Sequence, residues 1–273
     1  ILINEESDKL MEQEKIIKAQ VQAIKIITRE RMLAENYLHS IATIRSVRGR
    51  LFGKPTILTY HSDLILPPSP INRLASWMVN ASNEIAARVS DIVCAYTDDF
   101  AKHSRFLSRH TDKVRCILPP VELQLPKIHA IQSWAKRHEL TAAYPVIGVG
   151  VRLASEKGIE YLLEAFPAIL DKYPDARLVH AGPVQEVIGE EQYRRRLQPL
   201  LDRLGPYCTF LGALDPDEMP LFFSNCDVNV LPSINSTETF GLVQIEAALC
   251  GTPTVASELP GGRVATEITG MGL

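Results

Sequence analysis

Residues 228–256 constrain the fold of this chain more than any other stretch. Val228-Asn229-Val230-Leu231 is a short apolar run that reads as a buried strand, closed by Pro232. A loop then carries Glu238, the pair Phe240-Gly241 turns the chain, and a helix is expected over residues 241–250 with Glu246 in its early turns. Gly251 stops that helix and Pro253 leads into a further apolar strand at 254–256. Loops at the carboxyl ends of parallel strands are where open α/β sheets take up ligands. The helix N-terminus behind such a loop offers unpaired amides to an anion such as phosphate. Two carboxylates beside an anion site do not serve the anion. They suit hydroxyl groups, as on a sugar or a ribose.

The rest of the chain supplies a sheet in which this segment fits. Strands are expected at 56–60, 91–95 and 114–118. After a helix and linker at 127–144, further strands are expected at 146–151, 177–181 and 208–211. Helices are expected at 157–173, 190–204 and 216–225, with Pro167 placed to kink the first. Strands alternating with helices imply parallel sheets with right-handed crossovers. A hydrophobic content of 46% allows a sizeable core, and a net charge of −3 argues against nucleic acid as a partner. Cys94, Cys116, Cys208, Cys226 and Cys250 show neither zinc nor disulfide spacing, and read as buried thiols of a reducing, cytoplasmic compartment. No apolar stretch is long enough to span a bilayer.

The string from Val228 through Phe240-Gly241 to Gly251-Thr252-Pro253 resembles the donor-binding motif of retaining glycosyltransferases of the GT-B fold, family 4. That motif is a pair of glutamates with seven residues between them, matched by Glu238 and Glu246. The resemblance implies two Rossmann-like domains. It also implies a nucleotide diphosphate sugar as donor and co-substrate, no metal or other cofactor, and a carbohydrate or lipid-linked acceptor. Glu238 would approach the donor sugar, the amides around Phe240, Gly241 and Leu242 its hydroxyls and phosphate, and Glu246 the ribose. It extends to Val151-Arg152 and Ser155-Glu156-Lys157-Gly158, where the family carries an arginine and a lysine that hold the diphosphate. The family's glycine before that arginine is Val151 here. A cation at a helix N-terminus is disfavoured by the dipole, which agrees with an anionic partner for both side chains. Gly182, in Ala181-Gly182-Pro183, falls where the family has Ala-Gly-x-Gly, which implies a place beside the donor although this chain departs from the pattern after it.

His61 follows the strand at 56–60 and matches a histidine that in related enzymes contacts the transferred sugar or the acceptor, with Asp63 as a candidate orienting partner. Asp215-Pro216-Asp217 invites a manganese reading, but reads better as a helix start with Asp215 as N-cap, Pro216 at the first position and Glu218 completing a capping box. The first fifty residues differ from the rest. Residues 4–14 hold four glutamates and one aspartate against one lysine, and residues 15–50 eight lysines and arginines against two glutamates. Ile16, Ile17, Val21, Ile24, Ile27 and Leu33 form an apolar stripe at helical spacing. It suits packing on the sheet or a peripheral contact with the inner face of a membrane.

The expected organisation is therefore an atypical helical segment at 1–50 and a partial amino-terminal domain at 51–126. A linker follows at 127–144, then a truncated donor-binding domain at 145–273. The whole reads as a fragment, because nothing in residues 1–50 matches the glycine-rich loop that opens the family. The expected activity is transfer of a hexose from a nucleotide sugar to an acceptor hydroxyl with retained configuration, in lipid-linked sugar or polysaccharide synthesis. Two alternatives stay open: a sugar-nucleotide epimerase, and a non-catalytic homologue that binds a nucleotide sugar.

Overall fold

The computed structural model describes residues 38–65, 69–184 and 191–273. The expectations for Ile16 to Leu33 lie outside the described residues. The described residues up to Leu58, with 69–93, form one compact unit, and residues 59–65 with those from Cys94 to Leu273 form a second.

In the first unit, helix α1 (Leu38–Leu51) packs on helix α2 (Pro70–Val89). The Thr43 hydroxyl bonds the Ser82 carbonyl at 2.9 Å, and the Ser90 and Ser46 hydroxyls meet at 3.2 Å in the buried seam. Ser69 caps α2 by accepting from the Asn72 amide at 3.1 Å, with Pro70 in the first turn where its missing N–H costs nothing. Three short strands, β1 (Ile57–Thr59), β2 (Ile92–Ala95) and β3 (Val114–Cys116), are ordered 1-2-3, with β3 in the second unit. In that second unit, after β2, Thr97 caps helix α3 (Asp98–His103), its hydroxyl accepting from the Phe100 amide at 3.1 Å.

The second unit holds a five-stranded parallel sheet in the order β6-β5-β4-β7-β8. The strands are β4 (Val146–Val149), β5 (Arg177–Ala181), β6 (Cys208–Gly212), β7 (Val228–Leu231) and β8 (Thr254–Ala256). Register runs Val146 to Arg177 between β4 and β5, and Ile147 to Val228 between β4 and β7. Helices α4 (Ile128–Arg137), α5 (Ile159–Leu170), α6 (Glu191–Leu204), α7 (Met219–Ser224), α8 (Leu242–Leu249) and α9 (Arg263–Thr269) complete the alternation. Both faces of the sheet are covered. Ile147, Val149 and Leu178 pack with Leu163, Phe166 and Leu197 on one side. Val146 and Val179 pack with Trp134, Phe222 and Phe223 on the other. That double burial is why these strands read as continuous apolar runs rather than alternating ones.

Several element boundaries differ from the sequence expectation, and each has a local cause. The helix expected from 157 begins at Ile159. Residues Ser155–Lys157 form a separate 3₁₀ turn, and Gly158 at φ 60° separates the two. Pro167 lies inside α5. The helix expected from 216 begins at Met219. The Asp215 carbonyl accepts from the Glu218 and Met219 amides at 2.9 and 3.2 Å, which closes a turn first. The capping box with Asp215 as N-cap is therefore not formed: Glu218 stands at the N-cap and Pro220, not Pro216, is in the first turn. Cys94 and Cys226 are buried, but Cys116, Cys208 and Cys250 are only half-buried; all five are free thiols. Among the described residues no helix is long and apolar enough to cross a membrane. None of their His, Cys, Asp and Glu side chains form a group of three or more suited to a metal ion.

Candidate functional site

The strand order decides where a site can form. From β4 the chain runs outward through β5 to β6, then crosses back to β7 and continues outward to β8. The connections after the adjacent strands β4 and β7 thus leave toward opposite sides, and a crevice opens between them at their carboxyl ends. Arg152 and Lys157 follow β4, and Glu238 follows β7.

Lys157 and Glu238, 81 residues apart, meet in an ion pair of 2.7 Å between Nζ and Oε2. The same Oε2 accepts from the Ser233 hydroxyl at 3.0 Å. The two charged side chains are 16% and 12% exposed, so the pair is largely withdrawn from water. Arg152 is half-exposed and pairs with Glu156 at 2.5 Å. The carbonyl of Glu156 in turn accepts from the Ile234 amide at 2.9 Å, which ties the loop after β4 to the loop after β7.

Phe240, Gly241 and Leu242 form the entrance to α8. Gly241 is its N-cap at φ 74°, a left-handed conformation open to glycine, and a Cβ there would fall 2.1 Å from the Gln244 side chain. Phe240 is buried and Glu246 sits half-buried in the second turn of α8. Gly182, at φ 151°, is pressed against the turn after β4: a Cβ would lie 2.1 Å from the Val151 carbonyl oxygen and 3.0 Å from the Arg152 amide nitrogen. Its place is thus explained by close backbone approach beside Arg152.

His61 stands elsewhere, after β1, exposed, with Nδ1 2.5 Å from the Tyr96 hydroxyl. Asp63, read as its orienting partner, is engaged with other groups: Oδ1 accepts from Tyr60 at 2.9 Å and from Ser104 at 2.7 Å. The Tyr60 hydroxyl is pushed far above its ordinary pKa by burial and by the neighbouring Asp63 charge, so it remains a donor to that carboxylate. Sequence reasoning gave no role of their own to Ser233, Glu156 and Tyr96. Glu156 carried a signal as a member of the Ser155-Glu156-Lys157-Gly158 element, and Ser233 as the first polar residue after the β7 strand.

A strand-turn-helix crevice with a lysine and glutamate from adjacent strands suits an anion with hydroxyls attached to it. The family model of the glycosyl transferases group 1 matches residues 131–270, just over half of the chain. The chain belongs to this family. Among its relatives, a D-inositol 3-phosphate glycosyltransferase of Corynebacterium jeikeium is 38% identical over 126 residues, 45% of this chain and 29% of that protein. A glycosyltransferase of Methanocaldococcus jannaschii, itself uncharacterised, is 38% identical over 112 residues, 40% of this chain and 26% of that protein. The matched segments thus span under a third of each relative. The crystal structure of Anabaena HepE in complex with UDP and glucose superposes with a TM-score of 0.68 at 20% identity. It covers 83% of this chain and 59% of that one. The fold of this group 1 glycosyl transferase chain is accordingly α/β of the GT-B class, as the motif implied.

Proposed function

We propose that the crevice between β4 and β7 binds the donor of a retaining glycosyltransferase, and that the protein moves a hexose from a nucleotide diphosphate sugar to an acceptor hydroxyl. The observation that carries this reading is the Lys157–Glu238 pair at the point where the strand order reverses. The diphosphate lies against Lys157, Arg152 and the amides of Phe240, Gly241 and Leu242 at the start of α8. Arginine supplies a fork of donors and lysine a compact charge, and both oppose the negative charge that grows on the leaving diphosphate. These cations and the helix dipole take the place of a metal. Glu238 meets the sugar hydroxyls and Glu246 the ribose.

In the reaction the bond between the anomeric carbon and the diphosphate oxygen breaks. The acceptor oxygen bonds that carbon on the same face, and the acceptor's proton passes to the departing diphosphate. His61 donates a hydrogen bond to the transferred sugar or the acceptor. A carbohydrate or lipid-linked acceptor is supported by the relatives, which include a GDP-mannose-dependent phosphatidylinositol monomannoside mannosyltransferase.

The test is calorimetric titration of UDP, GDP and ADP, with and without their attached hexose, into the wild-type chain and the variants R152A and E238A. Binding of one donor that weakens in both variants is expected. Wild-type binding that neither substitution weakens would remove the donor assignment.

A further inference from the structure

Residues 257–262 join β8 to α9 and lie between two other elements. On one side is the Glu238 segment. A Cβ on Gly261 would fall 2.5 Å from the Thr239 carbonyl oxygen, and one on Gly262 3.1 Å from Glu238 Cγ. The buried Gln244 amide of α8 donates to the Gly262 carbonyl at 2.8 Å. On the other side is the first turn of α3, where the same Cβ on Gly261 would fall 2.9 Å from Phe100 Cβ. The turn is thus held by contact on both sides, and a side chain at Gly261 would collide with the Thr239 backbone.

Asp99, in that first turn, grips the loop. Its Oδ2 accepts from the Gly261 amide at 2.9 Å and from Arg263 Nε at 2.8 Å, and its Oδ1 from Arg263 Nη2 at 2.8 Å. This is a two-pronged guanidinium–carboxylate pair with a third, main-chain donor, the geometry in which charge-assisted bonds are strongest and most directional. His103 also faces Asp99, at 3.4 Å, and the exposed Glu258 reaches Arg263 at 3.4 Å. The bonds from Arg263 hold the Asp99 carboxyl below the usual carboxylate range although its partial burial opposes this, so the grip is charged throughout the neutral range.

We infer that Asp99 and Arg263 are a positioning clamp, which fixes the Gly261-Gly262 turn against Glu238 and thereby sets where that carboxylate stands when the donor sugar arrives. Neither residue is placed to touch the donor; each acts through the turn. The inference rests on the donor site proposed above, in that Glu238 is taken to meet the sugar rather than the nucleotide.

Two measurements on the full chain test it, in the wild type, D99N, R263K and the double variant. The first is amide hydrogen exchange without ligand. The clamp requires exchange at Gln244, Arg263 and Val264, whose amides donate to the Gly241, Leu259 and Gly261 carbonyls, to rise about tenfold or more in D99N while amides of β4 and β5 keep their protection. The second is affinity for UDP-glucose, GDP-mannose and ADP-glucose, each beside its parent diphosphate. For whichever pair binds, D99N is expected to lose roughly tenfold for the sugar nucleotide and under threefold for the diphosphate. R263K, which keeps the charge but not the fork, is expected to fall between. The double variant is expected to be no worse than D99N, since both changes break one unit. Unchanged exchange overturns the clamp. So does protection lost evenly across the sheet, or equal loss for sugar nucleotide and diphosphate, because each is what a merely structural tie gives. If the wild type binds none of the six, the donor reading fails, and the exchange data alone decide whether the turn is clamped.

Discussion

The loops after β7 and after β1 both carry a polar residue expected to face the substrate, and they are built differently. After β7, Glu238 is largely buried, and one of its oxygens is shared between Lys157 and Ser233. After β1, His61 is exposed, and its ring meets the hydroxyl of Tyr96. A carboxylate withdrawn from water is stable only while its donors stay in place, so the first loop is committed to one geometry before any ligand binds. The His61 imidazole keeps contact with water as well as with Tyr96. On the reading proposed above, donor recognition is preorganised, whereas the residue assigned to the reacting sugar and acceptor stays open to water and adaptable. Lys157 also has two roles in sequence. It neutralises Glu238, and on the reading proposed above a bound diphosphate would share its three N–H donors.

The largest effect that sharpens this contrast is expected from Lys157→Ala. It removes the cation from a carboxylate only 12% exposed, leaving Ser233 as its remaining donor. A stability loss of about 2 kcal/mol should follow, since a buried charged group left short of partners bears its desolvation cost. Transfer, once an acceptor is found, should fall by roughly 10²–10³ through loss of charge stabilisation at the leaving diphosphate. Arg152→Ala is the control within the same site. Its pair with Glu156 is half-exposed, so chemical denaturation should show a change within about 0.5 kcal/mol while donor affinity still drops. Equal stability for Lys157→Ala and the wild type would mean that the loop after β7 is not committed at all.

A second expectation concerns acid. His180 on β5 is fully buried, 5.0 Å from the Phe210 ring, and neither ring nitrogen has a hydrogen-bond partner among the described residues. Burial pulls its pKa down from 6.5 to about 4, with the Val151 carbonyl near enough to offset this in part but outside hydrogen-bond geometry. The unfolded chain therefore takes up this proton more readily than the folded one. The His180 contribution is intact above about pH 6.5 and is lost as pH falls toward 4, by roughly 3 kcal/mol across that window. Thermal melts from pH 7.5 to 4.5 should show this slope, and His180→Leu should flatten it. A slope unchanged by the substitution would place the acid-sensitive group elsewhere.

Much of the strand-loop-helix segment around Glu238 was legible in sequence because strand, turn and helix are local. The strands at 177–181, 228–231 and 254–256 coincide with β5, β7 and β8, since each is a short, largely apolar run bounded by turn residues such as Gly182, Pro232 and Pro253. What pairs with what was not legible. Lys157 and Glu238 are brought together by the crossover from β6 to β7, and no spacing announces a contact across 81 residues. Asp99 and Arg263 are 164 residues apart and leave no local pattern. Helix starts failed where a turn came first, at Gly158 and at Asp215, because a propensity pattern does not say which of two successive turns becomes the helix. Asp63 looked like a partner for His61 on proximity in sequence; its actual donors, Tyr60 and Ser104, follow from which way the side chain leaves the loop.

Smaller effects test the adaptable side. His61→Ala should leave stability and nucleotide affinity within about twofold of wild type, and lower transfer by about tenfold, the scale of one hydrogen bond made to the reacting sugar. Isothermal binding and initial-rate measurements separate the two. A large loss of nucleotide affinity would show that the loop after β1 belongs to donor binding and that the contrast drawn above is wrong.

The smallest effect is expected from Ser233→Ala. Ser233 is 3% exposed, and its hydroxyl donates to the Glu238 oxygen that Lys157 also holds. Without the hydroxyl the ion pair persists, so the carboxylate keeps its charge partner but gains freedom to rotate about it. Stability should fall by about 1 kcal/mol, the usual worth of one buried hydrogen bond. Affinity for the nucleotide sugar should fall by about two- to fivefold, and affinity for the bare nucleotide diphosphate should not change, since on the proposed reading Glu238 meets the sugar and not the diphosphate. Calorimetry on both ligands reads that difference directly. Should Ser233→Ala instead weaken both ligands as strongly as Lys157→Ala, the two donors would be acting as one inseparable unit, and the orientation of Glu238 rather than its charge would govern the site.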